Sequence, residues 1–370
     1  QNQIHVQVLS PSLQNSNLQK MSLISFFIVQ IVAGVSVLAV AQKEPGDTCN
    51  KSMRRRSFYG RISDLDWASV HAALGMYKYP AVVAEASEKL WVFIRRELVS
   101  LMKSASPEVA AVAEQVPVNL YTPKRRPYWG HSMLTDGTML LGQFCGYPWV
   151  SSYEMRTAFE VLAVPRYSCS TCTGHDYHSY IVVSKGSVFR SIEDLRGSSF
   201  AFNDFNSNSG YNLPRALFAP YAKYGRFLGE LVESGSHRAS VDLVRSGQVH
   251  AAAIDCVTFE LLAEHSPEMV ANLTILAQTP SAPAGPYLAS VYLGRELIGL
   301  LRLALLKVLN HPSPEPQLRE IKQILMLSGV DDVNADREYR RITALQRSAS
   351  RHYPILGAVA TEDNASRESE

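Results

Sequence analysis

The stretch "SGSHRASVDLVRSGQVHAAAIDCVTFELLAEH", residues 234–265, decides how this chain is read. "RASVDLVRSG" has the apolar spacing of a short helix and stops at a Gly-containing turn. "HAAAID" is a small, apolar strand, and "CVTFELLAEH" is a second helix. Two polar features sit at the joints. Ser234, Gly235, Ser236 and His237 precede the first helix, and the lone acid Asp255 ends the strand. Asp255 is either an ordinary cap for the helix opening at Cys256 or an acid facing a cleft; spacing alone leaves both readings open.

The same alternation extends outward. "PAVVAEASEKLWVFIRRELVSLM" carries Val83, Leu90, Ile94 and Leu98 near a 3.6-residue period, with Pro80 as a start signal. "TMLLGQFCGYP" reads as a strand running into a turn, and "FEVLAVPRY", "HSYIVVSK", "SFAFN", "RFLGELVESG", "LTILAQ" and "YLASVYL" as further strands. "SGYNLPRALFAPYA" reads as a helix, and helices are expected to fill the C-terminal part to about Tyr353. Strands alternating with helices predict an α/β class with mainly parallel sheets. Binding sites in such sheets lie beyond the carboxyl ends of strands, where helices begin.

Composition narrows the function classes. The 370 residues suffice for two domains, and 46% hydrophobic with 19% charged residues is a globular balance. A formal net charge of +2 offers no basic surplus for phosphate backbones, so no nucleic-acid partner is expected. From Met21 the apolar run "MSLISFFIVQIVAGVSVLAVAQK" ends in Ala39-Val40-Ala41, which suits signal-peptidase cleavage before Gln42. An uncleaved anchor over residues 22–41 is a second reading, and a true start at Met53 is a third. Export, periplasmic or extracellular, is the expectation.

Five cysteines are present: Cys49, Cys145, Cys169, Cys172 and Cys256. Cys169 and Cys172 form a C-x-x-C without a second pair, which reads as a structural disulfide or two free thiols. His175 and His178 follow closely, but the spacing is too compact for a common zinc finger, and no metal or cofactor is expected.

The polar loop "NDFNSNSG", 203–210, lies between a strand and a helix. Ser207, Ser209 and Gly210 are candidates for an oxyanion cradle, because helix starts present unpaired N–H groups and glycine allows close backbone approach. The competing reading is a simple Ser cap.

Several blocks, in order, carry a family resemblance: "ALGMY", "LWVFIRREL", "LLGQFCGYP", "DLRGSSFAFNDFNSNSGY", "SGSHRASVDLVRSGQVHAAAIDCVT" and "LAQTPSAPAGPYLAS". From Ala68 to about Leu356 the chain resembles the phosphonate-binding proteins, solute-binding components of ABC transporters with the two-lobed type 2 periplasmic fold. The resemblance implies a first lobe over 68–180 and 280–357, a second over 181–279, a leader over 1–67 and a polar tail over 358–370. It implies a monomer that holds a small anionic ligand between its lobes and hands it to a transporter permease, without catalysis. Carried onto this chain, Tyr77 is the first-lobe aromatic, and Gln143 and Tyr147 line the opposite strand end. Ser207, Ser209 and Gly210 form the cradle, Tyr211 lies beside it, His237 is a second-lobe donor and Asp255 a cleft acid. Two other readings stand beside it. One is an enzyme on the same scaffold with Cys256 as nucleophile and His237 as base. The other is an extracellular module that has lost its ligand.

Overall fold

The computed structural model describes residues 29–32, 35–38, 62, 65–121, 138–312, 314–353 and 356. Its strands, in chain order, are β1 (Val29–Val32), β2 (Val35–Leu38), β3 (His71–Ala73), β4 (Met139–Gln143), β5 (Phe159–Tyr167), β6 (Asp176–Tyr177) and β7 (Ser179–Ser184). Then come β8 (Phe200–Phe202), β9 (Leu231–Glu233), β10 (Ala251–Asp255), β11 (Leu273–Gln278), β12 (Ala282–Pro283), β13 (Tyr287–Ser290) and β14 (Leu327–Asp331). Strands β1 and β2 pair as an antiparallel hairpin within the expected export segment. The cleavage point before Gln42 and the tail over 358–370 lie outside the described residues. No helix among the described residues is long and apolar enough to cross a membrane.

Ser57–Ala360 forms one compact unit, and it contains two five-stranded sheets. The first runs β14-β5-β13-β4-β3 and the second β11-β7-β10-β8-β9. The expectation of mainly parallel sheets is corrected. Only β3–β4, β8–β9 and β8–β10 are parallel, whereas β4–β13, β5–β13, β5–β14, β7–β10 and β7–β11 are antiparallel. The reason is topological. β5 and β7 belong to different sheets, as do β11 and β13, so the chain leaves and re-enters each sheet instead of returning through a local crossover helix.

Those two crossings meet. β6 and β12 pair antiparallel, Tyr177 opposite Ala282 and Asp176 opposite Pro283. Flanking bonds from Ala284 N to the His175 carbonyl and from Thr279 N to the Ser179 carbonyl, both 2.9 Å, extend the junction.

Local sequence explains the main elements. In the helix Ala81–Lys103, Val83, Ala86, Leu90, Trp91, Ile94, Leu98 and Met102 are buried on one stripe, and Lys103 in the last turn suits the helix dipole. All five residues of β10 are buried, because this central strand is covered on both faces and its three alanines leave room for covering helices. Within the second sheet's core, Phe218 stacks on Phe227 and meets Phe200 edge-on, with ring centroids 5.2 and 5.4 Å apart.

One strand, β14, falls where only helices were expected. Around it lie the helices Arg295–Asn310, Pro316–Ile324 and Ala335–His352. The last of these packs against the helices Gly146–Ser151 and Leu213–Phe218 and against β12. It is bolted to the crossing: Tyr339 donates to the Ala284 carbonyl at 2.6 Å, and Arg341 forks onto both oxygens of Asp176.

Candidate ligand site

The sequence "NSNSGYN" folds as a capped wide turn. Ser207 precedes the π-helical residues Asn208–Asn212, which lead into the helix Leu213–Phe218. Ser207 Oγ accepts from Gly210 N at 2.9 Å, and its carbonyl accepts from Tyr211 N and Asn212 N. Ser207 is therefore a cap, as the simpler reading held, and its hydroxyl also lies 3.4 Å from Ser209 Oγ. Gly210 permits a close approach by the side chain of Asn203: a Cβ there would stand 1.7 Å from Asn203 Oδ1.

The stretch 234–265 brings its two polar joints to this turn. Ser236 caps the helix His237–Arg245, accepting from Ala239 N at 3.2 Å. That leaves the His237 ring free to turn inward, where Nδ1 lies 2.9 Å from the Ala253 carbonyl and Nε2 2.8 Å from Ser209 Oγ. A carbonyl only accepts, so Nδ1 carries the proton, and in the neutral ring Nε2 accepts from the Ser209 hydroxyl. Asp255 lies 3.4 Å from the same Nε2. It also caps the helix Cys256–His265, accepting from Thr258 N at 2.9 Å and from the Thr258 hydroxyl. Both readings of Asp255 thus describe one side chain.

Facing residues come from the first sheet and the crossing. Cys145 Sγ accepts from Asn208 N at 3.1 Å, and Tyr177 OH accepts from Asn208 Nδ2 at 3.3 Å. Gln143 Nε2 donates to Tyr167 OH at 2.8 Å and sits opposite Tyr287 in the β4–β13 register. Tyr77 meets Tyr167 edge-on at 5.5 Å, and among the described residues its buried hydroxyl has no hydrogen-bond partner. Burial, then the charge of Asp255, pushes the Tyr77 hydroxyl well above the usual phenol range. Tyr77, Gln143, Tyr167, Tyr287 and Leu261 line a cavity of about 20 Å³, room for about one water.

The expected residues therefore fall into three places. Ser207, Ser209, His237 and Asp255 form one polar cluster with Gly210 in its turn. Tyr77 and Gln143 share the cavity. Tyr211 belongs to the same turn as the cluster, but its side chain, like that of Tyr147, makes other contacts. Tyr147 OH accepts from Gln346 Nε2 at 2.9 Å, and Tyr211 packs on Phe202 and Phe205 beneath the Arg215 guanidinium. Cys145, Asn208, Tyr167, Tyr177 and Tyr287 were absent from the expected set. The Gln-x-Cys-Gly-Tyr-Pro block held a signal for Cys145; the tyrosines, scattered among 17 in the chain, held none.

The nucleophile pairing is not assembled. Among the described residues no hydrogen bond joins Cys256 to His237. Cys256 Sγ instead accepts from His178 N at 3.5 Å, and burial followed by the Asp255 charge pushes its thiol up to about 12.

A model of the family "ABC transporter, phosphonate, periplasmic substrate-binding protein" matches residues 130–339. No curated protein matches the chain. Solved structures similar to it include PhnD1 of Prochlorococcus marinus in complex with methylphosphonate, 16% identical, TM-score 0.56, covering 75% of this chain and 97% of that one. A binding-protein component of an ABC phosphonate transporter of Pseudomonas aeruginosa is 18% identical, TM-score 0.57, covering 80% and 92%. A Xanthomonas citri protein bound to chloride is 18% identical, TM-score 0.56, covering 76% and 99%. At these identities the likeness to solved structures is one of fold, the two-lobed periplasmic binding fold.

Proposed function

Because the chain belongs to the family of periplasmic substrate-binding proteins of phosphonate ABC transporters, we propose that it captures a small phosphonate or phosphate-like oxyanion at the cluster of Ser207, Ser209 and His237. The observation that carries this reading is the meeting of the Ser209 hydroxyl and the His237 ring at a helix start, 2.8 Å apart. Tyr77 supports it as the group facing from the first lobe, since a buried hydroxyl without a protein partner is a donor in wait for a ligand acceptor. Gln143 serves the same wall through Tyr167. Tyr147 and Tyr211 act through packing, and Asp255 acts by steadying the His237 ring.

The lobes follow the two sheets, with the breaks near residues 180 and 280. Ser207, Ser209 and Asp255 are buried, so capture needs the lobes to part about the β6–β12 junction, the hinge closure common to two-lobed binders. The protein acts after export, as a monomer, and passes its ligand unchanged to a transporter permease. Retention by residues 22–41 would tether it to the membrane without altering the cleft.

The test is thermal unfolding with methylphosphonate, phosphate and sulfate. A ligand at a hundred times its dissociation constant adds about 2.7 kcal/mol. Ser209→Ala is expected to weaken binding by about 1.5–3 kcal/mol, the range for hydrogen bonds to charged groups. Ser207 is a poorer probe, because its hydroxyl caps the turn. No stabilisation by any of the three anions would defeat the proposal.

A further inference from the structure

Three sulfurs converge beside Asp255, at the loop by which the chain leaves β5. Cys169 and Cys172 are joined in a disulfide. Cys256 Sγ, from the first residue of the helix Cys256–His265, lies 3.8 Å from Cys169 Sγ and 3.5 Å from Cys172 Sγ. The sequence spacing grouped Cys169 and Cys172 with His175 and His178. The fold separates that set: His175 Nδ1 lies 2.8 Å from Asp331, and the His178 ring bonds the Thr171 hydroxyl. Cys256 takes their place from 84 residues beyond Cys172.

The distances have a chemical meaning. Sulfurs bound at about 2.3 Å to one tetrahedral zinc ion stand about 3.8 Å apart. Two of the three edges already have nearly that length. Only the Cys169–Cys172 edge must lengthen, and C-x-x-C is a common zinc-binding spacing. We propose that, once the disulfide is reduced, Cys169, Cys172 and Cys256 form a three-thiolate site for a thiophilic d10 divalent cation of the zinc class.

The surroundings favour a cation. Asp255 precedes Cys256, and Glu260 follows one turn later, its carboxylate accepting from Ser170 N at 2.8 Å and from Tyr180 OH at 3.1 Å. The negative field of these two carboxylates draws a divalent cation. Half-buried Cys172 leaves a side where water can complete the coordination.

The steps balance. The disulfide takes two electrons and two protons from a dithiol reductant, which becomes a disulfide, and yields two thiols. The divalent cation then displaces the protons of three thiols. Under the oxidising conditions met by exported proteins the disulfide is the resting form, so cation binding follows reduction.

The experiment uses the full chain, reduced with a phosphine and freed of it without air, then titrated with zinc against a competing chelator. Cobalt(II) serves as a second probe through its thiolate charge-transfer absorption. The reduced protein is expected to bind one zinc at this cluster and the oxidised protein none there. Cys256→Ala is expected to weaken binding more than about a hundredfold, beyond what outer-shell changes cost. Because Cys256 is wholly buried, Cys172→Ala provides a second variant on the loop and should lose binding likewise. Zinc uptake unchanged in both variants, or absent in reduced wild type, overturns the proposal.

Discussion

His237 donates through Nδ1 to the Ala253 carbonyl at 2.9 Å, and this one bond decides what its other nitrogen offers. With the proton held at Nδ1, the neutral ring accepts a hydrogen bond at Nε2 from the Ser209 hydroxyl, 2.8 Å away, and so fixes that hydroxyl's direction. Asp255 lies 3.4 Å from the same Nε2.

His237→Ala is expected to weaken methylphosphonate binding by about 1 kcal/mol, the net worth of the hydrogen bond that positions the Ser209 hydroxyl. Calorimetry on the variant checks this; equal affinity would show that Ser209 acts without the ring.

Tyr77→Phe is expected to separate binding from stability. No hydrogen bond to a described residue is lost, so the ligand-free melting temperature should hold or rise. Methylphosphonate affinity should fall about 10- to 100-fold, corresponding to one hydrogen bond to a charged group. Equal affinity would remove Tyr77 from the site.

Gly210→Ala forces a new Cβ against Asn203 Oδ1. Overpacking of this kind costs about 1–3 kcal/mol. Denaturant unfolding of the double variant Asn203→Ala, Gly210→Ala should recover most of the loss, because the clash is chiefly with that side chain. Failure to recover would assign the cost to the backbone of the turn.

The imidazole of His178 is held below the ordinary value of 6.5, first by burial, with Glu260 and then Asp255 opposing. The unfolded chain then binds more protons between the folded value and 6.5. Stability contributed by the neutral ring is present above 6.5 and lost as pH falls toward the folded value. His178→Gln should flatten that part of the stability–pH curve. An unchanged slope between about pH 7 and 5 would assign the loss to other groups.

The helix Ala81–Lys103 was legible because its buried stripe is a local repeat. Strand β14 was not, because "LSGVD" sits between helices and becomes a strand only through pairing with β5, about 160 residues earlier in the chain. Strand direction was hidden for a related reason, since β5 and β7 leave for different sheets after similar local sequences. Within the site, Ser207, Ser209 and His237 stood out as small polar residues and a histidine at helix starts. Tyr287 opposite Gln143, Cys145 against Asn208, and Cys256 beside Cys172 are long-range meetings that no local period announces.

The helix Ala335–His352 touches elements on both sides of the cleft and is fastened to the crossing by Tyr339 and Arg341. A body fixed at the pivot of a rotation travels least. If the lobes part as proposed, its outer face should look nearly the same in both forms, while the cation–π contact of Arg238 on Tyr79, 4.2 Å from ring centroid to guanidinium, should be broken and remade with each cycle. Any partner that must tell a loaded receptor from an empty one gains no information from this bearing and has to read the moving lips.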